Sequence, residues 1–275
     1  MVRLALKHIR IVLVEPAGAL NVGSAARVMA NMGLSQLVLV APHCDPLGDE
    51  ARRMAVHAAH ILEQAKTVAT LPAALIGCDR AIATTARNRA LNTMMELPEV
   101  ALPWLLNGDG KDTPTALIFG PEDRGLSNEE LNYAQRFVRI PSDSAYDSLN
   151  LAQAIAVCCY ELARATVPRQ TPAAAVTPVA SPKRVSLDQL EGFNQHLESV
   201  LLKIGYLYPH TAESRMEKFR RFFLRAAPTP QELAMLRGIL RQMDWAATQA
   251  SKRIPLETSD SPPQDTSQGS GERTQ

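Results

Sequence analysis

"LIFGPEDRGLSNEEL", residues 117–131, decides how this chain is read. It opens on an apolar run and closes on the first turn of a helix, with Gly120-Pro121-Glu122-Asp123-Arg124-Gly125 between them. A glycine-rich turn from strand to helix ordinarily implies a phosphate cradle, because backbone N–H groups and the helix N-terminus both favour an anion. Here Glu122 and Asp123 occupy that turn and would repel one. Ser127 and Glu130 have the spacing of a capping box and account for the helix start. They do not account for Glu122, whose carboxylate suits an amine or a ribose hydroxyl.

Working outward, short apolar runs alternate with helical stretches. Ile9–Val14, Leu37–Ala41, Ala81–Thr85, Thr115–Phe119 and Phe137–Ile140 are predicted strands. Several are apolar at consecutive positions, which fits a parallel sheet covered on both faces. The intervening "AARVMANMG" has helical character, with Gly33 placed to end it. Residues 1–165 therefore read as one α/β domain. From 166 to 185 the chain carries Pro168, Pro172, Pro178 and Pro182 without periodic pattern, as an extended linker does. Residues 186–252 turn helical again, and the polar, turn-rich stretch 253–275 has the composition of a disordered tail.

The bulk numbers are permissive. The 275 residues are 46% apolar, enough for a proper core, and the net charge of +1 gives no global sign of a polyanionic partner. Cys44, Cys78, Cys158 and Cys159 form no Cys-x-x-Cys pair and read as buried free thiols of a reducing compartment. The opening residues have charges interleaved with apolar positions, so neither a signal peptide nor a membrane span is expected, and the protein is expected in the cytoplasm. His57 and His60 lack further ligands at suitable spacing, so no metal is expected.

Ligands of open α/β sheets lie beyond the carboxyl ends of the strands. Four such ends carry polar residues, and each has a plain structural reading beside a functional one. Asn21 reads as a helix N-cap or as a site residue, Gly23 as a packing glycine, and Arg27 as a solvated or a catalytic arginine. The Gly-x-Gly-x-x-Gly of a dinucleotide site is absent from this stretch. Arg87 and Arg89 are either surface charges or a phosphate grip. Ser148 reads as the cap of a helix starting near Leu149, with Asn150 facing solvent, or both belong to a ligand floor.

In order along the chain, Asn21-x-Gly23-x-x-x-Arg27, Phe119-Gly120-x-Glu122-x-x-Gly125-Leu126-x-x-Glu129 and Ser148-Leu149-Asn150-Leu151 resemble the three motifs of SPOUT-type RNA 2′-O-ribose methyltransferases. The tail, "LEGFNQHLESVLLKIGYL" followed by "RMEKFRRFFLRAAPTPQELAMLRGILRQMDW", is similar to the helical extension of the TrmJ branch, which acts on cytidine or uridine 32 of the tRNA anticodon loop. Leu20 departs from the glycine common before the first asparagine, and Thr85 stands where serine is frequent. Strand and helix alternation alone implies an unknotted doubly wound sheet. The resemblance implies a SPOUT-type parallel sheet with helices on both faces and a C-terminal trefoil knot, S-adenosylmethionine as methyl donor, a homodimer, and tRNA as partner. It places Thr84, Thr85, Ala86, Gly120, Ile140, Asp147, Ser148 and Leu149 around the cofactor. That cofactor carries a carboxylate and a sulfonium but no phosphate, so the loop need not be an anion nest.

The resemblance makes Arg27 the central catalytic group, with Asn21 positioning it, Ser148 and Asn150 completing the site, and Glu122 either organising its loop or accepting a hydrogen bond from a ligand. A guanidinium keeps its proton under nearly all conditions, so Arg27 suits holding a phosphate and stabilising charge on the attacking oxygen better than acting as a base. In "RMEKFRRFFLR", Met216, Phe219 and Phe223 share one helical face, read as packing. Arg215, Lys218, Arg221 and Arg225 cluster on another, read as either a solvated face or contacts for tRNA phosphates. The rival readings are a 2′-O-methyltransferase of another RNA site, a non-catalytic RNA-binding protein of the same fold, and a nicotinamide-dependent oxidoreductase, which the missing glycine fingerprint disfavours.

Overall fold

The computed structural model describes residues 5–85, 94–107, 113–143, 145, 148–167 and 184–253. Strand β1 (Ile9–Val14) leads through α1 (Ala19–Met32) to β2 (Gln36–Val40), and α2 (Asp49–Ala55) and α3 (Ala59–Glu63) lead to the short β3 (Lys66–Val68). After α4 (Leu71–Ala74) come β4 (Arg80–Thr84), β5 (Met95–Glu96), α5 (Pro98–Ala101) and β6 (Thr115–Phe119). Helix α6 (Asn128–Leu131), β7 (Arg136–Val138) and α7 (Leu151–Ala165) finish this part. The strands form one sheet in the order β3-β2-β1-β6-β4-β7-β5, with every pairing parallel. The expected parallel sheet is therefore present. Its two edge strands β3 and β5 gave no apolar run, because edge positions such as Lys66 and Thr67 are exposed.

The two-residue period of each strand sorts its side chains into two layers. Ile9, Ile11 and Leu13 of β1, with Leu39, Leu117 and Phe119, pack under α1, α2, α3 and α7. Val12 and Val14, with Val38, Val40, Ala116 and Ile118, point the other way, toward Leu71 and Leu75 around α4 and Leu131 of α6. Helix α1 ends at Gly33 with φ 80°, as its sequence requires. Within α1, a Cβ on Gly23 would lie 2.2 Å from the carbonyl oxygen of Ala51, so only glycine lets α2 approach this closely. The thiols are free, and burial pushes those of Cys78 and Cys159 up to about 12, which leaves them unreactive packing groups.

Helices α8 (Leu187–Lys203), α9 (Pro209–Ala226) and α10 (Pro230–Arg253) make a separate core around Phe193, Val200, Met216 and Leu240. The bundle is fastened to the sheet's second layer. Leu187 joins the Val12 cluster and its N–H donates to the Cys78 carbonyl at 2.7 Å, while Asp188 accepts from the Gly77 N–H at 2.9 Å. The Arg221 guanidinium donates to Asn132 Oδ1 at 2.9 Å. Among the described residues no helix is long and apolar enough to cross a membrane. Ala86, Arg87, Arg89 and Asp147, residues 168–183 of the expected linker and 254–275 of the expected tail lie outside the described residues.

Candidate functional site

Strand β6 delivers the chain to Gly120 at the carboxyl edge of the sheet. A Cβ there would stand 2.3 Å from the Leu126 nitrogen and 2.5 Å from the Gly125 carbonyl carbon. Gly120 is thus required by the returning backbone of its own loop, and Gly125, at φ 64°, makes the return. Ser127 and Glu130 then form the expected reciprocal capping box of α6.

The puzzle of Glu122 resolves at the start of α1. That helix begins after Gly18, which supplies no side-chain cap. Glu122, more than a hundred residues away in sequence, takes the role: its carboxylate accepts from the N–H groups of Ala17 at 3.0 Å and Gly18 at 3.1 Å, and from Asn21 Nδ2 at 2.8 Å. Burial pushes the carboxyl up, but the hydrogen bonds from Ala17, Asn21 and Gly18 outweigh it and hold its pKa below the ordinary value. The place where a helix N-terminus would hold a phosphate is filled by the protein's own anion.

Asn21 is therefore not the N-cap; it sits in the first turn of α1, and its side chain spans two motifs. Its Oδ1 accepts from Asn150 Nδ2 at 3.1 Å. Asn150, in turn, is the N-cap of α7, accepting from the Ala152 N–H at 2.9 Å. This corrects one part of the reading for that stretch: the cap is Asn150 rather than Ser148, while Asn150 is exposed as expected and also hydrogen-bonded to Asn21. The physical reason is that Asn150 is the last residue with extended backbone before helical hydrogen bonding begins at Leu151. One polar chain, Glu122–Asn21–Asn150–Ala152, thus joins the loop after β6 to the first turns of α1 and α7.

Beside this chain lies a cleft of about 800 Å³, including its open mouth. Thr84, Thr85, Gly120, Ile140, Ser148 and Leu149, which the sequence assigned to a cofactor, all line it, as do Glu122 and Arg124. The Thr84 hydroxyl donates to the Ile118 carbonyl at 3.1 Å, so that side chain pins two strands together. Apolar Leu126, Val138 and Leu151 complete the walls. Arg124 was not anticipated. Its guanidinium donates to Glu15 at 2.6 Å and to both oxygens of Glu130 at 2.9 and 3.0 Å, clamping the loop between β1 and α6. Hydrogen bonds that Arg124 donates to Glu130 and then to Glu15 raise its pKa, and the same clamp lowers that of Glu130 against its burial. No pattern in the sequence marked Arg124, because its partners Glu15 and Glu130 belong to different elements.

Arg27 is the residue the structure does not bring to the cleft. It lies six residues beyond Asn21, about 9 Å along α1 and about 240° around it. It is exposed and, among the described residues, has no ion-pair partner. The basic residues of α9 also separate. Arg215, Lys218 and Arg225 are exposed, whereas Arg221 is engaged by Asn132 and by Glu217 at 2.7 Å. Arg221 lies about 40° from Arg225 and about 60° from Lys218 around the helix, so it belongs to the expected face, at the edge where its guanidinium reaches Asn132 of the sheet domain. Among the described residues no group of three His, Cys, Asp or Glu side chains is arranged to hold a metal ion.

A parallel sheet carrying this cleft at its carboxyl edge, with an asparagine–glutamate–asparagine junction beside it, is the arrangement expected of a SPOUT-class methyltransferase, and the likeness to known proteins agrees. Residues 8–160 match the SpoU rRNA Methylase family, and residues 188–253 match the tRNA methyltransferase TrmJ C-terminal domain; the chain belongs to the SpoU methylase family, in its TrmJ branch. It is 40% identical over 247 residues to the tRNA (cytidine/uridine/adenosine-2′-O-)-methyltransferase TrmJ of Pseudomonas aeruginosa, covering 88% of this chain and 96% of that one. The tRNA (cytidine/uridine-2′-O-)-methyltransferase TrmJ of Klebsiella pneumoniae is 39% identical over 240 residues, covering 87% and 97%. The crystal structure of TrmJ from Z. mobilis superposes with a TM-score of 0.74 at 29% identity, covering 86% of this chain and 98% of that one.

Proposed function

We propose that this protein transfers a methyl group from S-adenosylmethionine to the ribose 2′-hydroxyl of cytidine or uridine at position 32 of the tRNA anticodon loop, acting in the cytoplasm as a homodimer. The observation that carries the reading is the junction of Glu122, Asn21 and Asn150, which draws three separate motifs together beside one cleft. The TrmJ-type C-terminal domain supports tRNA over ribosomal RNA, and the intact polar junction supports chemistry over binding alone. The trefoil knot implied by resemblance belongs to the same reading; the two segments it concerns, after β6 and after β7, both line the cleft.

The cleft suits the methyl donor on the chemistry of its walls: apolar Ile140, Leu126 and Leu149 for an adenine, hydroxyls at Thr85 and Ser148, and an anionic carboxylate rather than a phosphate nest. When bound, the donor supplies an electrophilic methyl on a sulfonium. Ser148 and Leu149 form the floor on which the reacting groups are aligned, and the enclosing apolar side chains exclude water. The Glu122–Asn21–Asn150 chain fixes the floor relative to α1. Arg27 reaches the reacting ribose from a second copy of the chain, because its own cleft lies on another side of α1. There it holds the target phosphate and stabilises charge developing on the 2′-oxygen while retaining its proton. Leu20, half exposed on the same outer stripe of α1 as Arg27, and Val157 and Tyr160 on α7 give the second copy an apolar surface to cover.

The test is to incubate the protein with unmodified tRNA and methyl-labelled S-adenosylmethionine and map the product by nuclease digestion and mass spectrometry. Label on the ribose of nucleotide 32 is expected. Label on another ribose would retain the enzyme class and move the substrate position, and no label on any RNA would support the binding-protein alternative. The Pseudomonas relative is named for adenosine as well, so tRNA with adenosine at that position belongs in the same assay.

A further inference from the structure

The outer face of α9 combines charge with an exposed aromatic ring, Phe222, which meets the bundle only edge-on through Phe223 at 5.1 Å. Arg215, Lys218, Phe222 and Arg225 recur at spacings of three, four and three residues, which places them on one stripe of a helix. All four are exposed. Phe222 is 51% exposed, whereas Phe193, on the neighbouring helix, is 1% exposed in the bundle core. No carboxylate falls on this stripe: Glu213 and Glu217 project to other sides of the helix, and Glu217 is taken up by Arg221. Among the described residues neither Lys218 nor Arg225 has an ion-pair partner. Arg215 donates to the Tyr206 carbonyl at 3.2 Å and stands 5.8 Å from the centre of the Tyr206 ring, itself 52% exposed. The stripe therefore runs on into a second exposed ring at the corner between α8 and α9.

A half-exposed apolar ring flanked by cations that have no carboxylate partner adds little to the stability of the monomer. It costs exposed apolar surface, and the like charges around it repel one another. The same arrangement fits a single-stranded polyanion with flat, stackable bases. Cations take the phosphates, and a ring offers its face to a base whatever its identity. We infer that Phe222 is a base-stacking platform for an unpaired tRNA nucleotide, with Arg215, Lys218 and Arg225 gripping the phosphates on either side and Tyr206 extending the contact. The inference rests on the proposal that tRNA is the substrate and names where the C-terminal bundle touches it. Arg221 has no part in it, because it fastens the bundle to Asn132.

The experiment measures affinity for unmodified tRNA, with full-length protein, at several salt concentrations. Phe222→Ala is expected to weaken binding about 10-fold without changing the salt dependence, since stacking releases no counterions. Phe222→Trp should bind as well as the parent, and Phe222→Leu should resemble the alanine variant. Lys218→Ala and Arg225→Ala should each weaken binding and reduce the slope of log affinity against log salt by about one. S-adenosylmethionine affinity and the melting temperature should not move in any of these variants. Wild-type affinity for Phe222→Ala, or leucine serving as well as tryptophan, would overturn the stacking assignment while leaving the methyltransferase reading intact. A wild-type protein that binds no tRNA would overturn both.

Discussion

The cleft edge of the sheet and the outer stripe of α9 use charge in opposite ways. At the cleft, Glu122, Arg124, Glu130 and Glu15 are all engaged with one another or with backbone N–H groups, so their charge is spent on geometry. On α9, Arg215, Lys218 and Arg225 are held in solvent without carboxylate partners, and their charge remains available to a ligand. The contrast teaches that a charged residue in a motif is no direct guide to ligand charge. Glu122 lies in the cleft wall, yet its first task is to cap a helix that has no cap of its own. The methyl donor needs a shaped slot, and the RNA needs a field.

Substitutions at the two regions should therefore fail in different ways, and the largest effect is expected at Gly120. A methyl group there meets the backbone of Gly125 and Leu126 at 2.3–2.5 Å. Gly120→Ala should destabilise the protein by about 1–3 kcal/mol and, through the displaced loop, abolish donor binding. Calorimetric titration together with a thermal melt checks both. Next in size is Arg27→Ala, expected to lower methyl transfer by about 100-fold or more while donor affinity stays unchanged, because Arg27 lies outside the cleft. Arg27→Lys should retain part of that activity with altered RNA affinity; a lysine variant that binds RNA normally yet is inactive would contradict phosphate holding by charge.

Smaller effects follow from the polar chain. Glu122→Gln keeps the shape but weakens the charge-assisted bonds to Ala17 and Gly18, and should cost about 1 kcal/mol, discounted for the exposure of the site. The sign of its pH dependence is fixed by the depressed folded-state pKa. The stabilisation is fully present above the unfolded carboxylate value near ~4.3 and is lost as pH falls through the lower folded value. Melts of the parent and Glu122→Gln should thus differ at neutral pH and converge in acid; parallel curves across that range would remove Glu122 as the helix cap. Arg124→Gln should loosen the loop less, raising KM for the methyl donor several-fold with little change in kcat, which initial-rate kinetics resolve.

Much of the fold was legible because its signals are local. The consecutive apolar positions of Ile9–Val14 and Thr115–Phe119, the helix stop at Gly33 and the Ser127–Glu130 box each need only a few neighbouring residues to be read. The edge strands Lys66–Val68 and Met95–Glu96 were not legible, since a strand exposed along one side carries no apolar run. At the site, the identities of Asn21, Glu122, Ser148 and Asn150 came from resemblance, but what Asn21 and Asn150 do did not. In sequence Asn21 looks like a local cap and Asn150 like a solvated neighbour of a Ser148 cap, and only the fold shows that Glu122 bonds to the start of α1, that Asn150 caps α7 and that Asn21 and Asn150 bond to each other. Phe222 was hidden for a related reason: in "RRFFLR" it is adjacent to Phe223, which packs edge-on against Phe193 at 4.8 Å, and a one-residue step turns it by about 100° into solvent.

In the proposed mechanism the cleft of one chain is completed by Arg27 of a second copy, and subunit mixing separates this from action within a single chain. Arg27→Ala keeps an intact cleft, and Leu149→Arg fills the cleft while keeping Arg27; each alone should be inactive on tRNA. Co-refolded in equal amounts, they should recover about a quarter of parental methyl transfer, since half of the dimers are mixed and each mixed dimer holds one complete site. Activity that stays at the level of the separate variants, with mixed dimers demonstrably formed, would contradict the account and return Arg27 to the cleft of its own chain.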